Sequence, residues 1–493
     1  MARRVREIVS RLIPARSEAH RRDGSESAAR RARRPQPMYY GARRVPETMW
    51  LIDAMDALMP LARSMTTIAF MSLVADHAPL PPAIRQPIQS RIRAQGEEFI
   101  EQSQKTFFNH PGLDTLVVQA ACRGAMALTT VGRGYLRARI ALGFDPKGTA
   151  AQTLPLVPHR GYESLMGSYL AIGTALGWFR GGRVRVRPLV RNGESVAAAG
   201  ESALGIRRLQ GPRGLVDMAA DIDDLYWAQS QGAVIKITAV GKGASRRWIV
   251  SVPGTDHVDP HSTPNPADTE TNIREMLGLP SAMRLGVVAA VHHAMRSEGV
   301  DKRDLAREPV LMMGHSQGGV VGLALLGRHP RELNIRGLVT LGTPGRRLRV
   351  PRDVTAIAIE HDQDIVPSLD ARPRRGTNDR IVIGRFLNRP RVGPLYYAHS
   401  STTYTETVEL MERRARVAPY GKTGRAWQFF SEFFASAEET QAIYFYEIRQ
   451  DILTQSAPAI EDTFDFLADV RSPDDLPIPG FTPQRGINHD SNI

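Results

Sequence analysis

The chain has 493 residues and is 42% hydrophobic, enough for one large domain with additions or for two to three domains. Its single cysteine, Cys122, excludes an internal disulfide and favours a reducing, cytoplasmic compartment. The net charge of +13 is uneven: residues 1–44 hold 13 arginines against 4 acids, a net +9, so the basicity belongs to an N-terminal arm and the remaining body is nearly neutral.

Within the arm, Val5, Ile8, Val9, Leu12 and Ile13 recur at helical spacing with arginines on the other faces, which predicts a short basic amphipathic helix. Residues 17–44 are rich in Arg, Ser and Ala and read as disordered. A solvated tail is the simplest account of residues 1–44. A peripheral membrane contact comes next, at about 1 kcal/mol per cation near an anionic surface, and nucleic acid comes last. Arg3-Arg4 resembles a twin-arginine start, but Glu7 and Arg11 interrupt the apolar stretch that should follow.

Residues 45–210 read as a mainly helical region and a linker. "PETMWLIDAMDALMPLARSM", "PPAIRQPIQSRIRAQGEEFIEQSQKTFF" and "GLDTLVVQAACRGAMALTTVGRGYL" each carry a helical pattern. Ser164–Phe179 is the longest uncharged apolar run, yet it falls short of the roughly 18–20 residues that span a bilayer and is predicted to be a buried helix. Residues 180–211 read as a linker or a pair of short strands.

After Gly211 the texture changes to short apolar strands alternating with helices. The pattern predicts an α/β domain over 211–410 with a mostly parallel sheet covered on both faces. The strands are "AVIKITAVG", "RRWIVSVPG", "PVLMM", "IRGLVTLG", "VTAIAIE" and "RIVIGRF". Residues 411–493 read as C-terminal helices and a tail, including "AWQFFSEFF" and "AIYFYEI". Trp427, Phe430 and Phe434 share one helix face, which core packing explains better than an acyl-chain wall.

The chemistry concentrates in "VLMMGHSQGGVVGLALLG", Val310–Gly327, where a strand pattern turns into a helix pattern at Gly314-His315-Ser316-Gln317-Gly318. A G-x-S-x-G turn between strand and helix lifts a serine hydroxyl out of the backbone, which marks Ser316 as a candidate nucleophile. A serine nucleophile needs a base and an acid to orient it, in the chain order Ser, acid, His in this kind of sheet. Four histidines follow Ser316. His329 sits at the end of the next helix, His361 lies beside the candidate acids and His489 is in the tail, which leaves His399 in "YYAHSSTTY" as the base. The acid is Asp364 in preference to Asp362, both in the turn after strand "VTAIAIE". The oxyanion donors are the Gln317 N–H and Thr255, in the turn after "IVSVPG".

Together "VSVPGTD", "GHSQGG", "VTLGTPG", "DQDIVP" and "HSSTTY" resemble, in order and rough spacing, the class 3 lipases and their α/β-hydrolase relatives over about residues 215–410. The resemblance implies the α/β-hydrolase fold, a serine esterase acting on a lipid or other hydrophobic ester without cofactor or metal, and roles for Thr255, Ser316, Asp364 and His399. The turn Pro253-Gly254-Thr255 departs from the family's usual Arg-Gly-Thr pattern. A thioesterase or acyltransferase would use the same triad, and a non-catalytic hydrolase-fold protein would bind through its basic arm instead.

One rival site is "DHVDPH", with Asp256, His257, Asp259 and His261. Alternate residues of an irregular proline-containing loop seldom converge on one ion, so the segment reads as a polar loop rather than a metal site. The following stretch, Pro260–Thr271, reads as a mobile lid over the pocket.

Overall fold

The computed structural model describes residues 39–40, scattered positions between 64 and 106, and 113–144, 161–191, 205–256, 261–328, 332–372, 379–387 and 397–453. The predicted amphipathic helix at the N-terminus, His329 and His489 lie outside these residues.

In chain order the described elements begin with β1 (Tyr39–Tyr40), α1 (Leu113–Ala141), α2 (Gly161–Ala175), β2 (Gly181–Arg191), α3 (Leu215–Leu225), β3 (Ala233–Val240) and β4 (Arg247–Val252). They continue with α4 (Thr269–Leu277), α5 (Ala282–Ser297), β5 (Pro309–His315), α6 (Gln317–Arg328), β6 (Asn334–Leu341), β7 (Thr355–His361), β8 (Ile381–Arg385), α7 (Ser401–Val417), α8 (Lys422–Ser431) and β9 (Gln441–Ile452). The strands form one mixed sheet in the order β1-β8-β7-β6-β5-β4-β3-β9-β2. From β4 to β8 every neighbouring pair is parallel, and the remaining pairs are antiparallel.

The parallel block explains the aliphatic runs in the sequence. A strand covered on both faces has no polar side, so β4 and β5 are buried almost throughout. Successive side chains still diverge to opposite faces. Trp248, Val250, Val310 and Met312 pack with Met283, Val287 and Val291 of α5 on one face. Ile249, Leu311 and Met313 pack on the other with Leu215 and Met218 of α3, Tyr404 and Val408 of α7, and Phe430 of α8. The aromatic face of α8 is therefore core.

Four expectations need correction. The stretch "AIYFYEI" is a strand, not a helix: it lies in β9, hydrogen-bonded between β3 and β2. The α/β unit thus draws on the chain beyond residue 410. Aromatic and β-branched residues favour the pleated sheet, and the side chains alternate accordingly, with Tyr444, Tyr446 and Ile448 on one face and Phe445 on the other. Residues 181–191 form one long edge strand rather than a linker or two short ones. Val184 and Val186 face the core, while Arg185 and Arg187 pair with Asp451 and Glu447. Charged residues and Pro188 suit an edge that must not recruit another strand. Within 17–44, Tyr39 and Tyr40 pair antiparallel with β8 instead of belonging to a disordered arm.

The fourth correction concerns the predicted lid, whose described residues are tied down. Asn265, Ala267 and Asp268 are buried. The Gln450 N–H and side-chain amide donate to the carbonyls of Pro264 and Thr263 and to the Asp268 carboxylate. The Ser262 N–H donates to the Trp178 carbonyl. Asp268 then serves as the N-cap of α4, accepting from the Thr271 N–H at 2.9 Å.

The helix predicted within Ser164–Phe179 is present as α2 but is only partly buried: Leu170, with Phe179 beyond the helix, packs on Ile273 and Leu279, while Tyr169 and Ile172 are exposed. No helix among the described residues is long and apolar enough to cross a membrane.

Candidate active site

Ser316 sits between β5 and α6 with φ of 52°. Among the described residues Ala371 is the other non-glycine in this left-handed region, which costs a side chain of this kind about 1–3 kcal/mol and is held only where the surroundings enforce it. The enforcement is visible. Ser316 N–H bonds the Leu341 carbonyl at 2.8 Å, and Thr343 Oγ1 donates to the Ser316 carbonyl at 3.1 Å. The flanking glycines have no room for side chains: a Cβ at Gly314 would meet the Gly318 backbone at 2.3 Å, and one at Gly318 would meet the Val252 carbonyl at 2.4 Å. The G-x-S-x-G spacing is thus a packing requirement of the turn.

Asp364 and His399 are brought together. His399 Nδ1 lies 2.7 Å from Asp364 Oδ2. The carboxylate is fully buried and also accepts from Tyr404 O–H at 2.7 Å and from the Val366 N–H at 3.0 Å. Burial alone would raise its pKa, but His399 and the two further hydrogen bonds outweigh it and hold the carboxyl below its usual value. An ionised Asp364 can only accept, so His399 Nδ1 carries the proton of this bond. Asp362 does not share this position; its N–H bonds the Arg385 carbonyl after the turn. His361 is not the partner either. It is buried against the ring of Tyr404 at 3.8 Å and is committed to the Ala398 carbonyl and Thr407 Oγ1.

The rings of His399 and His315, the residue before the serine, are 4.7 Å apart. A wire of hydrogen bonds fixes this arrangement. The Gly254 N–H donates to Tyr226 Oη at 2.6 Å, Tyr226 Oη lies 2.7 Å from His315 Nδ1, and His315 Nε2 lies 3.0 Å from the His399 carbonyl. A carbonyl only accepts, so His315 carries its proton on Nε2, and Tyr226 must donate to Nδ1. Burial, with help from nearby His399, pushes the His315 pKa down to about 3, so the ring stays neutral. His361 is likewise pushed down to about 3 by burial. Two neutral histidines therefore anchor consecutive carbonyls, Ala398 and His399, of the loop that carries the His399 ring.

Thr255 and Gln317 flank the serine from two elements. Gln317 opens α6, so its N–H has no carbonyl one turn earlier to bond and lies at the positive end of the helix. Gly254 presses the Thr255 turn against the serine: a Cβ there would lie 2.6 Å from Ser316 Cβ. Asn272 of α4 joins the two residues. Its Nδ2 donates to Thr255 Oγ1 at 2.8 Å, and its Oδ1 accepts from Gln317 Nε2 at 3.1 Å.

The N-terminal helical region reaches the site from behind. Ser368, in the turn after Asp364, donates to Asp114 Oδ2 at 2.8 Å and accepts from Thr115 Oγ1 at 3.1 Å, both at the start of α1. Arg347 lies over the ring of Tyr162 at 3.7 Å.

Of the "DHVDPH" residues, His257 and Asp259 lie outside the described part. Asp256 accepts from Asn265 Nδ2 at 2.9 Å, and His261 packs edge-on against Trp178. Among the described residues no group of three or more His, Cys, Asp or Glu side chains is arranged to hold a metal ion.

Sequence reasoning missed Tyr226, His315, His361, Tyr404 and Asn272 as parts of the site. Tyr404 closes "HSSTTY" and His315 sits inside the glycine turn, so each was adjacent to a named residue. Tyr226 and Asn272 carry no local signal. Comparison with protein-family models, curated proteins and solved structures found no match to this chain.

Proposed function

We propose that the protein is a serine hydrolase of the α/β-hydrolase fold, related to the class 3 lipases, that cleaves a carboxylic ester through an acyl-enzyme. The observation that carries this reading is the 2.7 Å bond from His399 to the buried, ionised Asp364, beside a serine held at positive φ. In the reaction, His399 Nε2 takes the hydroxyl proton as Ser316 Oγ attacks the carbonyl carbon. Asp364 holds the imidazole tautomer and stabilises the imidazolium. The Gln317 N–H and Thr255 donate to the oxyanion. The C–O bond breaks, the leaving alcohol takes the proton from His399, and water then releases the acid by the same steps in reverse.

The ester preference rests on the motif resemblance. Membrane contact through residues 1–44 stays a proposal, since that arm falls outside the described residues apart from β1. Turnover of a chain-length panel of p-nitrophenyl esters tests the reading. Ser316→Ala should cost on the order of a million-fold and Asp364→Asn about ten-thousand-fold in kcat. Undiminished turnover by Ser316→Ala would refute it, and product formed only with an added alcohol or amine would make the enzyme an acyltransferase.

A further inference from the structure

The hydrogen bonds around Asn272 have a direction that can be worked out from one end. The Asp268 carbonyl can only accept, and Gln317 Nε2 lies 2.8 Å from it, so this atom of the Gln317 amide is the donor. Gln317 Nε2 therefore also donates to Asn272, 3.1 Å away, which makes that atom of Asn272 the acceptor oxygen. The other end of the Asn272 amide is then NH₂, and it donates to Thr255 Oγ1 at 2.8 Å. A hydroxyl has one hydrogen. With its oxygen accepting from Asn272, the Thr255 hydrogen has no role in this chain and is left to point elsewhere.

We propose that Asn272 is a positioning residue that sets the Thr255 hydroxyl as a donor toward the oxyanion. The idea rests on the serine-hydrolase reading above. The relay starts at the N-cap of α4, passes through the residue after the nucleophile and ends on the hydroxyl beside it. Gln317 is buried and its Oε1 has no hydrogen-bond partner among the described residues, so the side chain gives up one bond there to keep its amide aimed at Asp268 and Asn272. An unmade buried bond of this kind is costly, which marks the orientation as imposed by the site.

The variant that separates this role from simple packing is Asn272→Asp. A carboxylate has the same shape and still accepts from Gln317, but it cannot donate to Thr255. The threonine must turn its hydrogen to the carboxylate and away from the oxyanion. Asn272→Ala removes the contact but leaves the hydroxyl free to rotate. The readouts are the rate of Ser316 labelling by a fluorophosphonate and the kcat and KM for a p-nitrophenyl ester, with circular dichroism as a check on folding.

Asn272→Asp should lower labelling and kcat about 10- to 100-fold with KM little changed, and Asn272→Ala should lose less. The double variant with Thr255→Val should be no slower than the slower single one, because both act through one hydroxyl. A packing role would reverse the order of Asp and Ala, and a plain charge effect of the new carboxylate would add to Thr255→Val; either result overturns the proposal. If Asn272→Asp fails to fold, Asn272→Ala with and without Thr255→Val decides, and additive losses there overturn it. Wild-type labelling with both Asn272 variants unimpaired would reject the relay alone. An unlabelled wild type would reject the hydrolase reading and the relay with it.

Discussion

Gly254→Ala places one methyl group against Ser316, the proposed nucleophile. Its Cβ would stand 2.6 Å from Ser316 Cβ, 2.7 Å from Tyr226 Oη and 2.9 Å from the His315 carbonyl, where ordinary contact is 3.4–4 Å. The three atoms belong to the Ser316 turn and to the phenol that braces it, and two of them are fixed in hydrogen bonds or backbone. The turn carrying Thr255 must therefore retreat from Ser316 by about an ångström, a displacement that costs on the order of 100-fold in a positioned reaction. Forcing a methyl into a packed site costs about 1–3 kcal/mol of stability, which the fold should survive. Gly327→Ala is the matched control, since among the described residues its Cβ meets nothing closer than the Arg349 carbonyl at 3.9 Å. Measuring fluorophosphonate labelling and thermal melting on both variants, we expect Gly254→Ala to fold but label about 100-fold more slowly, and Gly327→Ala to label at the wild-type rate. Wild-type labelling by Gly254→Ala would mean that the Thr255 turn does not press on the serine, and would overturn the proposed oxyanion role of Thr255.

Tyr226→Phe removes the hydroxyl shared by the Gly254 N–H and His315 Nδ1. Two buried groups lose a partner at about 1–3 kcal/mol each, so urea denaturation should show a loss of about 2–6 kcal/mol; a loss near zero would contradict the wire. His315 and His361 make stability depend on acid. Burial pushes each pKa down to about 3 in the folded chain, against 6.5 for an ordinary imidazole. Their contribution is therefore present above pH 6.5 and is lost as pH falls toward 3, by about 3 kcal/mol per ring at pH 4. In urea titrations from pH 7.5 to 4, the stability gap between wild type and His315→Gln should shift in the variant's favour as pH falls, and a gap independent of pH would show that His315 is not buried neutral.

The parts legible in the sequence are those whose signals are local. Aliphatic runs announced β4 and β5, the glycine spacing announced Ser316, and Asp364 and His399 followed from chain order at strand ends. β9 was misread because "AIYFYEI" is a short apolar run whose periodicity does not separate helix from strand; its aromatic and β-branched content was the better guide. The predicted lid was misread because Pro, Ser, Thr and Asn look like loop residues in a sequence, while the bonds that tie them to Gln450 come from a strand about 180 residues later. The supporting partners are hidden for the same reason. Tyr226 and His315 are 89 residues apart, and Asn272 and Gln317 are 45 apart. Such pairings depend on how helices α3 and α4 seat on the sheet, which composition and spacing do not encode.

Labelling with a fluorophosphonate followed by peptide mass mapping tests, without a known substrate, whether Ser316 is an activated nucleophile. The account predicts a single adduct on Ser316, absent after heat denaturation and in His399→Ala. A folded protein that takes up no label, or takes it up on another residue, would contradict it.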